Sequence, residues 1–146
     1  MKCVSDRQEC VQVSIQMRDP RPGNPYAADC PTRQLLDRIG DRWTVLVIGA
    51  LADGPLRYTA LATRIEGVSQ KMLTQTLRAL ERDGLVIRTV LPVIPPHVEY
   101  ELSPLGSDLL ATVSILERWA ITHIGDVESA RQTFDARPQV QASSTR

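Results

Sequence analysis

The chain has 146 residues, 42% of them hydrophobic, enough for one domain with its own core and too few for two large ones. Its 17 Lys and Arg balance 17 Asp and Glu, so no global basic field draws it onto nucleic acid or an anionic membrane, and any polyanion site must be local. The longest apolar run, Trp43 to Ala52, falls short of the roughly 20 residues that cross a bilayer, and the opening MKCVSDRQEC carries charges where a secretory signal is apolar; the expected location is cytoplasmic, without membrane attachment.

Residues 1–29 lack sustained periodicity, and DPRPGNPYAAD crowds three prolines and a glycine together, the composition of an extended arm. From Pro31 the pattern turns helical, with Leu35, Leu36 and Ile39 on one face and Gly40 as a stop. Asp41 is placed to cap a second helix, Arg42 to Ala52, apolar over most of its circumference and expected to be buried. A third helix is predicted over Leu56 to Ile65, followed by the turn Glu66-Gly67-Val68 and by Ser69 as the N-cap of a fourth that runs to Asp83-Gly84.

That fourth segment, VSQKMLTQTLRAL in its first part, has two faces. At roughly 100° per residue, Gln70, Lys71, Thr74, Gln75 and Arg78 fall within an arc of about 140°, and Leu73, Leu77 and Leu80 cluster on the other side. After Gly84 the period changes. Leu85 to Leu91 is β-prone, PVIPP interrupts, and Val98, Tyr100 and Leu102 alternate with Glu99 and Glu101, which predicts a hairpin with a stiff tip. Ser103-Pro104 opens a last helix whose apolar residues, from Leu105 through Trp119 to Ile124, form more than one stripe over about 20 residues and so call for two burial surfaces. From Asp126 a tail ending in ARPQVQASSTR reads as disordered.

Helix, helix, turn, helix, hairpin is the order of a winged helix-turn-helix, an α+β fold that is mainly α. In it the second motif helix enters the major groove, where glutamine suits adenine edges and arginine or lysine suits guanine or phosphate, while threonine offers a hydroxyl to phosphate or a methyl to thymine. The candidate DNA-contacting residues are therefore Ser69, Gln70, Lys71, Thr74, Gln75 and Arg78, with Arg88 and His97 on the wing. An ordinary solvated face is the competing reading, and the absence of acids from Gly67 to Leu80 does not by itself decide between them. Arg57 is placed to touch phosphate or to face water, and Trp43 and Trp119 to line an effector pocket or, as is commoner for aromatics on apolar helices, to fill core.

The strings CPTRQLLDRIGDRWTVLVIGAL, GPLRYTALATRIEGVSQKMLTQTLRALERDGLVIR and PVIPPHVEYELSPLG together resemble the HxlR-type winged helix-turn-helix transcription regulators, relatives of the MarR group, from Cys30 to about Trp119. The resemblance implies a homodimeric repressor or activator on a palindromic double-stranded operator, its long N- and C-terminal helices forming the dimer interface. It places the recognition helix at Ser69 to Asp83 and the wing at Val86 to Leu102, and divides the chain into an arm (1–29), a winged domain with its dimerisation helix (30–125) and a tail (126–146). The arm, with Cys3 and Cys10, departs from the family pattern.

Three cysteines, Cys3, Cys10 and Cys30, without a CxxC pair or a histidine at ligand spacing, point to neither a disulfide framework nor a zinc site, and no cofactor is expected. Cys30 precedes Pro31 at a helix start, where free N–H groups favour a thiolate; a plain packed cysteine is the other reading. The resemblance implies a redox or electrophile sensor at Cys30, since several HxlR-type regulators use a cysteine just before this proline to sense quinones, aldehydes or oxidants. Histidines limited to His97 and His123, with no phosphate loop, nucleophile elbow or paired carboxylates, argue against an enzyme. A protein-docking winged helix, or a regulator gated by a small molecule in place of a thiol, are the alternatives.

Overall fold

A computed structural model describes residues 23–138. Five α-helices and three short strands follow one another as α1 (Pro31–Ile39), α2 (Arg42–Ala50), a 3-10 turn (Leu51–Asp53), β1 (Leu56–Arg57), α3 (Tyr58–Arg64), α4 (Gln70–Arg82), β2 (Val86–Leu91), β3 (His97–Leu102) and α5 (Pro104–Asp135). Among the described residues the chain divides after Asp37 into two compact units.

The first unit holds the turns after Gly23 and the start of α1. Tyr26 N donates to Asn24 Oδ1 at 3.0 Å, an Asx turn of the kind asparagine makes with its own backbone. Cys30 ends the turns, and its carbonyl accepts from Arg33 N at 3.0 Å, so α1 starts with Pro31 at the position where a missing N–H costs nothing. No residue of α1 is buried, and Leu35 and Leu36 are exposed. The cysteines Cys3 and Cys10, and the arm as far as residue 22, lie outside the described residues.

The second unit is built around α2. Asp41 caps it as expected, its carboxylate accepting from Thr44 N at 3.2 Å, and Thr44, Val47, Ile48 and Ala50 are buried. The helix ends at Ala50, two residues before its predicted end, and the chain tightens into the 3-10 turn, a common way for a last helical turn to finish. Around α2, the core is completed by Leu51, Leu61, Ile65, Leu73, Leu77, Leu80, Leu85, Val86 and Val113. Trp43 packs half-buried on this cluster, with the Arg42 guanidinium 4.4 Å from its ring centre.

Leu56 and Arg57, read from the sequence as the start of a helix, instead form β1, which pairs antiparallel with Tyr100 and Glu99. Two residues carry no period of their own, and the partner that makes them a strand lies more than forty residues away in the chain. The sheet order is β1-β3-β2, and β2 and β3 form the predicted hairpin in the register Val86↔Leu102 to Leu91↔His97.

At the far end of α4, Gly84 has φ 72° and takes the left-handed position after the C-cap Asp83. Gly84 N donates to Glu81 O and Leu85 N to Leu80 O, the paired bonds of a Schellman motif, which turn the chain directly into β2. Ser103 then caps α5, accepting from Gly106 N at 3.0 Å and donating to Gly84 O. The helix that follows was expected to stop near Ile124 with a disordered tail from Asp126. It continues to Asp135 and covers 32 residues, because no proline follows Pro104 until Pro138 and the charged residues between need no burial to be helical. From residue 139 the tail lies outside the described residues. Along all of α5 only Gly106 and Val113 are buried, leaving Leu105, Ile115, Leu116, Trp119, Ile121, Ile124 and Phe134 exposed. No helix among the described residues is long and apolar enough to cross a membrane.

Candidate nucleic-acid interface

The local sequence builds the motif from its turn outward. Ile65 closes α3 and is buried, Gly67 turns the chain with φ 80°, and Ser69 opens α4 by accepting from Met72 N at 3.1 Å. Leu73, Thr76, Leu77 and Leu80 seat α4 on the core. That seat leaves Ser69, Gln70, Lys71, Gln75 and Arg78 exposed, and Thr74 half-buried at the edge of the same face. The first turn of α4 contains no acid, so its free N–H groups and the positive end of its dipole face outward without a competing carboxylate.

Arg78 and Thr74 meet the wing. Together with Glu81 of α4 and with Arg88 and Tyr100, partners across β2 and β3, they line an open polar cleft of about 390 Å³. Arg88 is exposed there. His97 stands elsewhere: it opens β3 opposite Leu91, half-buried, with Nε2 3.6 Å from Glu99 Oε1. It is a strand residue facing a carboxylate. Tyr58, Glu81 and Tyr100 belong to this face and were not singled out from the sequence. The sequence pattern marks Tyr100 only as one apolar place in a strand alternation, and Tyr58 only as part of a helix.

Neither tryptophan is among the residues lining the apolar groove beside α2. The apolar groove of about 590 Å³ beside α2 is bordered by Val45, Leu46, Gly49, Leu116 and Ala120, with Arg42 and Glu117 at its rim. Trp119 is not core within this chain; it is exposed and stacks on His123 with ring centres 4.9 Å apart.

Cys30 is buried and, among the described residues, has no disulfide partner. Burial works to raise its pKa, but the Thr32 hydroxyl and the Thr32 and Arg33 backbone N–H groups hydrogen-bond the sulfur and outweigh it, so the thiol sits below its ordinary value.

The sequence and the fold are similar to those of known proteins. Residues 38–128 match the model of the HxlR-like helix-turn-helix family. The chain belongs to that family. It is 42% identical over 121 residues to the HTH-type transcriptional regulator YtfH of Escherichia coli, covering 83% of this chain and 94% of YtfH. The structure of YtfH from Salmonella typhimurium superposes with a TM-score of 0.72 at 44% identity, over 75% of this chain and 98% of the other. Diamide-treated YodB from Bacillus subtilis superposes with a TM-score of 0.56 at 36% identity, over 66% of this chain and 96% of that one. As an HxlR-like helix-turn-helix protein the chain is a transcriptional regulator, and its family is one of DNA-binding proteins and not of enzymes.

Proposed function

We propose that this regulator binds a palindromic double-stranded DNA operator as a homodimer, reads it with the outer face of α4, and is switched by oxidation or alkylation of Cys30. The observation that carries the DNA reading is the two-sided character of α4: a leucine seam fixes the helix, and the opposite side presents Gln70, Lys71, Gln75 and Arg78 to solvent beside an acid-free N-terminus. In this reading Gln70 and Gln75 address base edges, Lys71 and Arg78 address guanine or phosphate, Ser69 and Thr74 flank them, and Arg88 and His97 belong to the wing contacts. Two such helices address half-sites about 34 to 36 Å apart. The exposed apolar residues of α5 supply the surface that a second copy would cover.

Support for the switch comes from Cys30 itself, a free thiol with its pKa lowered at the start of a helix, and from the likeness to YodB, known in reduced and diamide-treated forms. Addition of the thiolate to an electrophile such as a quinone, or its oxidation to a disulfide with a second thiol, the two electrons passing to an oxidant such as diamide, alters the spacing of the two reading helices. Footprinting on the DNA flanking the protein's own gene, with and without a quinone, tests both parts. Protection of a symmetric site that is lost on quinone treatment is expected. An unprotected region ends the DNA reading, and protection indifferent to quinone ends the switch. A protein-docking winged helix is separated by salt: about three phosphate-contacting cations per subunit give a log-log affinity slope near −5, and weak, indiscriminate DNA binding would favour docking.

A further inference from the structure

Tyr58, the first residue of α3, reaches across the motif to the first two turns of α4. Its hydroxyl oxygen lies 3.0 Å from the Gln70 carbonyl oxygen and 3.2 Å from Thr74 Oγ1. The direction of both bonds follows from proton counting. A carbonyl only accepts, so the single phenolic proton goes to Gln70 O, and the second contact then has the Thr74 hydroxyl donating to the phenol oxygen. The only proton of Thr74 is therefore committed inside the protein. What remains for an outside partner is the lone-pair side of Oγ1 and the Cγ2 methyl, on a β-branched side chain that has few rotamers to choose from in a helix.

We infer that Tyr58 is a positioning residue for sequence reading: it fixes Thr74 so that threonine meets DNA as a hydrogen-bond acceptor and a methyl group, and not as a phosphate donor. The inference rests on the proposed reading of DNA by α4 and narrows it. Of the two roles open to Thr74, gripping the backbone and reading a base, the hydroxyl geometry leaves the second. The chemistry that fits an acceptor beside a methyl is a base edge offering an exocyclic amino group or the thymine methyl. Tyr58 also differs from a simple staple between helices, because its effect would appear in which sequences are bound and not only in how stable the fold is.

The test is selection from a random duplex library by the full-length protein and by its Tyr58→Phe, Thr74→Val and double variants. Phenylalanine keeps the ring in its place. Valine keeps the shape of Thr74 and leaves the Tyr58 bond to Gln70 O intact, so a folded variant is available even if one substitution is harmful. The expected result is that Tyr58→Phe and Thr74→Val each lose preference at the same one base pair per half-site, by about fivefold or more, with no change in the salt dependence of affinity. The double variant should lose no more than either single one. An unchanged base preference in Tyr58→Phe, an affinity loss in Thr74→Val that is equal on every duplex as a backbone contact would give, or losses that multiply in the double variant would each overturn the inference. If the unaltered protein enriches no sequence at all, the DNA reading of α4 falls and takes this inference with it; if it enriches a site that the Tyr58 variant reads identically, only the role of Tyr58 falls.

Discussion

The Cα of Gly106 lies flat against the backbone carbonyl of Leu85, so close that a Cβ built on it would overlap the carbonyl oxygen and press on the Leu102 side chain. This contact sets the first turn of α5 against the junction between α4 and the wing. Gly106→Ala must therefore move backbone, not a flexible side-chain end, and is expected to cost about 1–3 kcal/mol, the range of overpacking in a tight site. Urea denaturation of the variant measures it; an unchanged midpoint would show that α5 is free to shift.

Ser103 joins the same three elements by hydrogen bonds. Its Oγ accepts from Gly106 N and donates to Gly84 O, while Ser103 N donates to Leu85 O. Ser103→Ala loses the cap and orphans a carbonyl at the turn, an expected loss of about 1–2 kcal/mol. Thermal unfolding should show the drop, and Ser103→Thr, which keeps a hydroxyl, should recover part of it.

On the outer face of α4, Gln75→Ala and Arg78→Ala are each expected to weaken specific binding by about 1–3 kcal/mol where the side chain contacts a base. Fluorescence anisotropy on the footprinted site, set against a scrambled duplex, separates base reading from phosphate contact. A residue that loses affinity equally on both duplexes is a phosphate contact, and one that loses none leaves the interface.

The exposed residues Ile115, Leu116 and Trp119, which fall within an arc of about 100° on α5, predict a second copy over them. Trp119→Asp places a charge where an apolar contact is expected, and sedimentation should move from dimer to monomer with the unfolding midpoint of the monomer preserved. A variant that sediments like the unaltered chain would put the dimer contact elsewhere.

Because the Cys30 thiol lies below its ordinary pKa, its thiolate is present at lower pH than that of an unperturbed cysteine, and the rate of alkylation by iodoacetamide should rise at correspondingly lower pH. Thr32→Val removes the side-chain hydrogen bond that helps lower it, so the rate profile should move to higher pH. If both proteins follow the profile of an unperturbed thiol, the environment of Cys30 does not favour the thiolate. Mass spectrometry after quinone or diamide treatment should find the adduct or disulfide on Cys30, and Cys30→Ser should leave DNA affinity indifferent to both reagents.

The helix-turn-helix was legible because its signals are local. Asp41, Ser69 and Ser103 cap the helices they precede, and Gly67 and Gly84 stand where a positive φ is needed. The seam of Leu73, Leu77 and Leu80 follows from a period that the sequence carries by itself. Whatever depends on a distant partner was decided by the tertiary structure. Leu56 and Arg57 become a strand only because β3 lies beside them; the reach of α5 to Asp135 is by contrast local, since helix-compatible residues there meet no stop signal strong enough to end it. The hydroxyl of Tyr58 illustrates the limit most clearly. Periodicity places a side chain on a face, but which donor meets which acceptor across twelve or sixteen residues is settled only when two helices dock, since hydrogen-bond geometry is set by separations of a few tenths of an ångström that no sequence pattern encodes.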